Sequence, residues 1–404
     1  MSAPQVILCA DWGKDLHKRA VFVADVSSRS VRRAAPRAWS LAAVLEEANR
    51  WTRSGPVLAA FDLPLSAPAS YLAAAARVPS WRSPTTFVDF LPRACSTPHF
   101  FEPTSSPADW KVERPLFAVP PGAGGLTAYV EAAGKQRVDL LRTIDRKTRA
   151  KTMFATSGIP GTVGSSACDL WRELGPRLTT DREFVLWPFE GELAVILKSH
   201  PIVLGEIYPR AAYATALLDG PSSERPRLAV AKTKPDVRRA AMARLRQADW
   251  VRRYGVTIEN STEAEANEDD FDACVTAAAL LRCVLEEQPL APPGRASDQI
   301  EGGILGTGTI NLDLPELTFG RSRRPVRNPR SRNQSGPAAP VRHEPGTFAC
   351  PIPGCDKIFS GSRGGWDGHV GSVRIHPQWH PELGLPEARR RQFETDFPEF
   401  FRRQ

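Results

Sequence analysis

The chain has 404 residues, 42% of them hydrophobic, with thirty-seven prolines and a formal net charge of +8. That length exceeds one ordinary domain and supplies enough apolar side chains for a sizeable core. There is no apolar run of about 18 residues, Met1–Ala10 lacks a signal-peptide pattern, and seven cysteines lie scattered along the chain; a membrane span and a small disulfide scaffold are excluded, and a soluble, cytoplasmic protein is expected.

Val6–Ala10 and Ala20–Val26 are apolar runs separated by a polar stretch with Gly13 and His17-Lys18-Arg19, which predicts a β-hairpin. Ser30–Ser40 reads as a third strand. Ser40 then caps a helix over Leu41–Trp51, where apolar residues recur at helical spacing and Glu46 and Glu47 face outward. Pro56–Phe61 reads as a buried strand running into Asp62-Leu63-Pro64-Leu65. From about Val78 to Gly125 the chain is rich in proline and reads as an irregular insertion outside the core. Gln136–Thr152 predicts a basic helix carrying Arg142, Arg146, Lys147, Arg149 and Lys151. Pro201–Ile207 is a further strand, and Asp236–Tyr254 reads as one arginine-rich helix. The acidic stretch Glu263–Asp270 opens an apolar helix, Phe271–Glu286, its carboxylates suited to the positive end of the helix dipole.

The expected organisation is one domain over residues 1–318, an arginine- and proline-rich linker over 319–346, and a small unit over 347–404. Within the linker, residues 321–346 hold seven arginines against one acid, Glu344. Such a concentrated polycation suits a polyanion such as nucleic acid, and a solubilising spacer is the plainer alternative.

Acids stand where strands and helices begin or end: Asp11 after the first strand, Asp62 after the fourth, and Glu206 after a later one. Asp269 and Asp272, three apart at a helix start, share a face, with Asp270 the alternative to Asp269. Mg²⁺ or Mn²⁺ takes hard oxygen ligands of this kind, and two such ions about 4 Å apart hydrolyse phosphodiesters. Five pieces, Ala10-Asp11-Trp12-Gly13, Phe61-Asp62-Leu63-Pro64-Leu65, Gly205-Glu206-Ile207-Tyr208-Pro209-Arg210, Asp269-Asp270-Phe271-Asp272-Ala273 and Glu301-Gly302-Gly303-Ile304, resemble the RNase H-like superfamily. More closely, they resemble the predicted nucleases of the domain-of-unknown-function family numbered 429. The resemblance covers roughly residues 5–310. It implies an α/β fold, a mixed five-stranded sheet flanked by helices with the acids at one end, and catalytic roles for Asp11, Asp62, Glu206, Asp269 and Asp272. Glu206 has a second reading as an ion-pair partner of Arg210, and Trp12 and Tyr208 read as packing residues. Asp11-Trp12-Gly13 also meets part of the pattern of actin- and sugar-kinase-like ATPases, although Lys14-Asp15 replaces the phosphate-binding hydroxyl residue expected there.

Cys350, Cys355, His369 and His376 give two thiolates and two imidazoles, a donor set for structural Zn²⁺. With Phe359 and Trp366 near the core positions, the segment resembles the Cys-Cys-His-His zinc finger, a small ββα unit that metal binding would fold. Its spacing departs by a residue or more between the second cysteine and the histidines, and Gly364, Gly365 and Gly368 weaken the expected helix. Leu385–Gln404 reads as an amphipathic helix packing on it. The expectation is a metal-dependent nuclease acting on DNA or RNA, its finger aiding substrate or protein-partner binding. The competing class is a non-catalytic nucleic-acid-binding or adaptor protein on the same scaffold.

Overall fold

Uninterrupted apolar runs belong in strands covered on both faces, and Val6–Asp11 is buried along its whole length. The computed structural model describes residues 3–82, 84–119, 125–158, 162–179, 182–291, 298–320, 347–355, 358–360, 369–370, 376, 378–383 and 386–398. The chain divides into two units, Met1–Ser322 and Arg323–Gln404.

In the first unit, β1 (Val6–Asp11), β2 (Ala20–Asp25) and β3 (Ser30–Arg33) form an antiparallel meander. Helix α1 (Leu41–Trp51) returns the chain so that β4 (Val57–Phe61) lies parallel to β1. Strands β5 (Val185–Leu186) and β6 (Ile202–Glu206) extend the sheet beyond β4, also parallel. Helix α2 (Pro209–Leu217), strand β7 (Leu228–Val230), strand β8 (Thr257–Ile258) and helix α3 (Glu268–Leu285) follow. The strand order is β8-β3-β2-β1-β4-β6-β5, seven strands where the sequence suggested five. The additions, β5 and β8, are edge pairs of two residues, too short for any periodicity to mark them.

Alternation along the strands sorts the core into two layers. Val6, Leu8, Ala10, Phe61, Ile202 and Leu204 join the layer that contains α1 and the helices Phe87–Cys95 and Gly164–Arg177. Ile7, Cys9, Leu58, Ala60 and Val203 face α2 and α3. Helix α3 is buried without a break from Asp270 to Cys283, since it crosses the middle of the sheet.

Several local expectations are corrected. Strand β3 ends at Arg33, not Ser40, and Pro36 shortly beyond has no N–H to continue a ladder. Helix α1 has the expected bounds, with the Ser40 Oγ accepting from the Ala43 N–H at 3.2 Å. The segment read as an insertion holds the helix Phe87–Cys95, and its Trp81, Phe87, Phe90 and Phe100 are fully buried in the first layer. The basic helix over 136–152 reduces to Thr143–Thr148, because Arg137 and Arg149 take left-handed conformations at φ 59° and 60°. The arginine-rich helix is two, Pro235–Gln247 and Asp249–Tyr254, separated where Ala248 turns extended. Helix α3 begins earlier than expected, with Asn267 as N-cap and three acids in its first turn.

In the second unit, β9 (Thr347–Ala349) pairs antiparallel with β10 (Ile358–Ser360), Phe348 opposite Phe359. Helix α4 (Pro386–Asp396) buries Phe393 against Cys350, Ile352 and Val370. The arginine segment 321–346, the glycine-rich stretch 361–368 with Trp366, and Phe400 and Phe401 lie outside the described residues. Among the described residues no helix is long and apolar enough to cross a membrane.

Candidate metal centres

The first centre is set by strand parity. Asp11 continues the alternation of Ile7 and Cys9, and Asp62 that of Leu58 and Ala60, so both turn to the face that α3 covers. The Asp62 N–H still donates to the Ala10 carbonyl at 2.9 Å, which keeps the two acids side by side. Helix α3 brings Asp272 from the other side, and carboxylate oxygens of Asp11, Asp62 and Asp272 lie within 4.8 Å of one another.

Three buried like charges strain one another. Burial, then Asp272 and Asp62, raise the Asp11 carboxyl well above its usual range. Burial and Asp272 push Asp62 up to about 8. Burial raises Asp272 as well, opposed by Lys232 and by the Tyr213 hydroxyl. Tyr213 donates to Asp272 Oδ1, and the Lys232 ammonium contacts Asp272 Oδ2. Among the described residues no side-chain hydrogen bond reaches Asp11 or Asp62, and an all-oxygen set of this kind fits a hard divalent cation. Beside them is a cavity of about 300 Å³, lined by Asp62, Tyr208, Arg210, Tyr213, Lys232 and Asp272 among others.

The other expected acids fall elsewhere. Glu206 is in register with Phe61, which places it on the opposite face of the sheet from Asp62. There it pairs with Arg142, not Arg210: Arg142 Nη1 and Nη2 each reach it at 2.6 Å, and the same guanidinium holds Asp145 at 2.7 Å and Ser66 Oγ at 2.6 Å. Arg210 pairs with Glu316 instead. Asp270 is held by Arg33 at 2.5 and 3.0 Å. Asp269 is half-buried and stands outside the three-carboxylate group, though its charge is felt by all three. Trp12 packs edge-on against Phe61 at 5.1 Å and Tyr208 packs against the core beneath α2 and α3, both as expected, and Tyr208 also lines the cavity. The Glu301-Gly302-Gly303 turn is structural: the Glu301 carboxylate accepts from the N–H groups of Ala69 and Thr143 at 3.0 and 2.9 Å. Gly302, at φ 77°, packs where a Cβ would stand 2.5 Å from Ser66 Oγ.

Lys232, Arg142 and Tyr213 were not singled out from the sequence as site residues. Lys232 follows a three-residue strand with no motif around it, and Arg142 is one of the basic residues in the helix expected over 136–152.

In the second unit, ligand atoms of Cys350, Cys355, His369 and His376 lie within 4.8 Å of one another, close enough to bind a metal such as zinc. Tetrahedral zinc with bonds of about 2.0–2.3 Å places its ligands roughly 3.3–3.8 Å apart. Cys355 Sγ to His369 Nε2 is 3.4 Å and Cys350 Sγ to His376 Nε2 is 3.7 Å, while the two Nε2 atoms are closer, at 2.9 Å. His380 is engaged by Glu382 and Asp396, each at 2.8 Å, and stands apart from the set. Arg389, wholly buried on α4, donates to the carbonyls of His376 and His380 at 2.8 and 2.9 Å.

The chain is thus an α/β protein with a seven-stranded mixed sheet and a separate Cys/His cluster. It matches no family model, no curated protein and no solved structure.

Proposed function

We propose that the chain is a metal-dependent nuclease of RNase H-like type, with Asp11, Asp62 and Asp272 as its catalytic acids and a zinc-bearing unit that aids substrate or partner binding. The observation that carries this reading is the convergence of three carboxylates from three separate elements beside an open cavity. The five longer strands, a meander of three followed by two parallel strands, agree with the mixed sheet the resemblance implies. A divalent ion held by Asp11 and Asp62 would supply the positive charge that a phosphoryl group in displacement requires. The chain's own part is to hold those oxygens open, to orient Asp272 through Tyr213, and to offer Lys232 and Arg210 at the cavity wall to an anionic backbone. Glu206 is assigned to support the Leu63–Ser66 turn, since the Leu65 N–H donates to it at 3.0 Å.

The Lys232 contact favours one other reading, in which the acids and the ammonium form a structural ion cluster in a non-catalytic nucleic-acid-binding protein. Labelled single-stranded, duplex, hybrid and branched substrates, incubated with Mg²⁺, Mn²⁺ or EDTA, separate the two. Cleavage that needs the metal and disappears in Asp11→Asn supports the nuclease; binding without cleavage on every substrate overturns it.

A further inference from the structure

We propose that the acid cluster takes one divalent cation rather than two, because Lys232 provides the second positive centre from within the chain. The inference rests on the nuclease reading of the same cluster and concerns how its charge is balanced.

Ionised to hold a cation, Asp11, Asp62 and Asp272 bring three negative charges, half-buried Asp269 standing outside their group, and the Lys232 ammonium in contact with Asp272 brings one positive charge. One dication neutralises the remainder, whereas two would leave the buried site with an excess of positive charge. Uncompensated charge in a buried site is costly, whichever its sign.

Ligand availability points the same way. Both oxygens of Asp272 are occupied, Oδ1 by the Tyr213 hydroxyl and Oδ2 by Lys232. Asp11 is nine-tenths buried, with 9% of its surface exposed, and among the described residues no donor bonds its side chain or that of Asp62. The open carboxylates are therefore two, at the ends of adjacent parallel strands, which suits a single ion that keeps part of its water shell.

Lys232 is also held in place rather than left to wander. Its N–H donates to the Val230 carbonyl at 2.8 Å, and its own carbonyl accepts from Arg238 Nη1 at 2.5 Å. Arg238 in turn binds the carbonyls of Glu265 and Ala266 at 3.0 and 2.7 Å, just ahead of the helix that carries Asp272. One buried arginine thus ties the lysine's backbone to the segment that positions the acid. The lysine side chain is 35% exposed and borders the cavity beside Asp62, so it faces the acids and also the space an anionic phosphodiester would enter.

The test is a Mn²⁺ titration of the zinc-loaded full-length protein, followed by electron paramagnetic resonance and calorimetry. Wild type should bind one Mn²⁺ that Asp11→Asn abolishes. Lys232→Met removes a positive charge a few ångströms from the ion, and should tighten that Mn²⁺ by at least roughly tenfold or admit a second one. Lys232→Arg, which keeps the charge, should still bind one ion with affinity near that of wild type. Should the methionine variant fail to fold, Lys232→Gln gives the same comparison. Two Mn²⁺ in wild type, both lost in Asp11→Asn, would overturn the one-ion inference and leave the metal site standing. One Mn²⁺ of unchanged affinity in both neutral variants would also overturn it. No Asp11-dependent Mn²⁺ in any variant would overturn the metal reading of the cluster itself, and the inference with it.

Discussion

Replacing Arg142 by methionine should destabilise the first unit by about 4 kcal/mol, the scale for breaking a buried ion pair from one side. Arg142 is 2% exposed and is the partner of two acids, Asp145 and Glu206, each 4% exposed. Methionine keeps much of the apolar stem but leaves both carboxylates in a dry site without their counter-charge. For a unit of this size that corresponds to a fall of roughly 10 °C in the melting temperature. The sign of its pH dependence follows from linkage. Burial raises the Glu206 carboxyl, and Arg142 now opposes that rise; without the arginine the folded-state value climbs further above the unfolded one. An acid whose folded value is raised costs stability above that value and nothing once both states are protonated. The deficit of Arg142→Met should therefore be largest at neutral pH and shrink as the pH falls towards the ordinary carboxylate range. Urea denaturation of wild type, Arg142→Met and Arg142→Met/Glu206→Gln between pH 5 and 8 measures it, and the double variant should recover part of the loss. A deficit below about 1 kcal/mol, or one that does not change with pH, would refute the assignment of Arg142 as the counter-charge of this network.

In EDTA, stability should fall as the pH rises from about 4 to 8, because Asp62 titrates near 8 when folded and 3.8 is its ordinary value, so the folded state holds the extra proton across that window. Asp11→Asn should flatten this slope and raise the melting temperature while abolishing cleavage; an unchanged slope by scanning calorimetry would count against the strained cluster. The full chain should carry one Zn²⁺, lost in Cys350→Ser or Cys355→Ser by elemental analysis. Arg389→Gln, which frees the carbonyls of His376 and His380, should weaken the zinc by roughly 10-fold; wild-type affinity would show that α4 does not support the ligands. Deleting residues 321–342 should flatten the dependence of log nucleic-acid affinity on log salt by ~3 units if half the surplus charge engages phosphate; superimposable slopes would assign the segment to solubility alone.

The three clustered acids could be found from sequence because each follows or opens an apolar run, the one place where a buried strand or helix can present a charge. Glu206 met the same criterion and still went to another partner. Its face depends on the alignment of β6 with β4, Glu206 opposite Phe61, and register between strands some 140 residues apart leaves no trace in either run. The helix Phe87–Cys95 was hidden for a different reason. Pro92 lies within it and prolines surround it, yet the aromatic packing of Phe87 and Phe90 against Trp171 outweighs the local preference. Lys232 is a single lysine after a short strand, and only the fold shows that it meets Asp272. The four clustered Cys and His residues were plain because they stand on neighbouring segments, so the spacing that lets them meet is written into the chain.

The burial of α3 has a consequence for biosynthesis. Asp11 precedes Asp272 by some 260 residues, and the helix that carries Asp272 ends at Leu285, so translation must add that whole stretch before the acids can meet. At about 5–20 residues per second, β1 and β2 wait on the order of tens of seconds for the helix that covers them. During that time Ile7, Cys9, Phe22 and Ala24 present an apolar surface to the cell. A ribosome that stalls before α3 releases a chain whose three acids have not met and whose sheet is uncovered, so premature termination should yield material for chaperones and proteases.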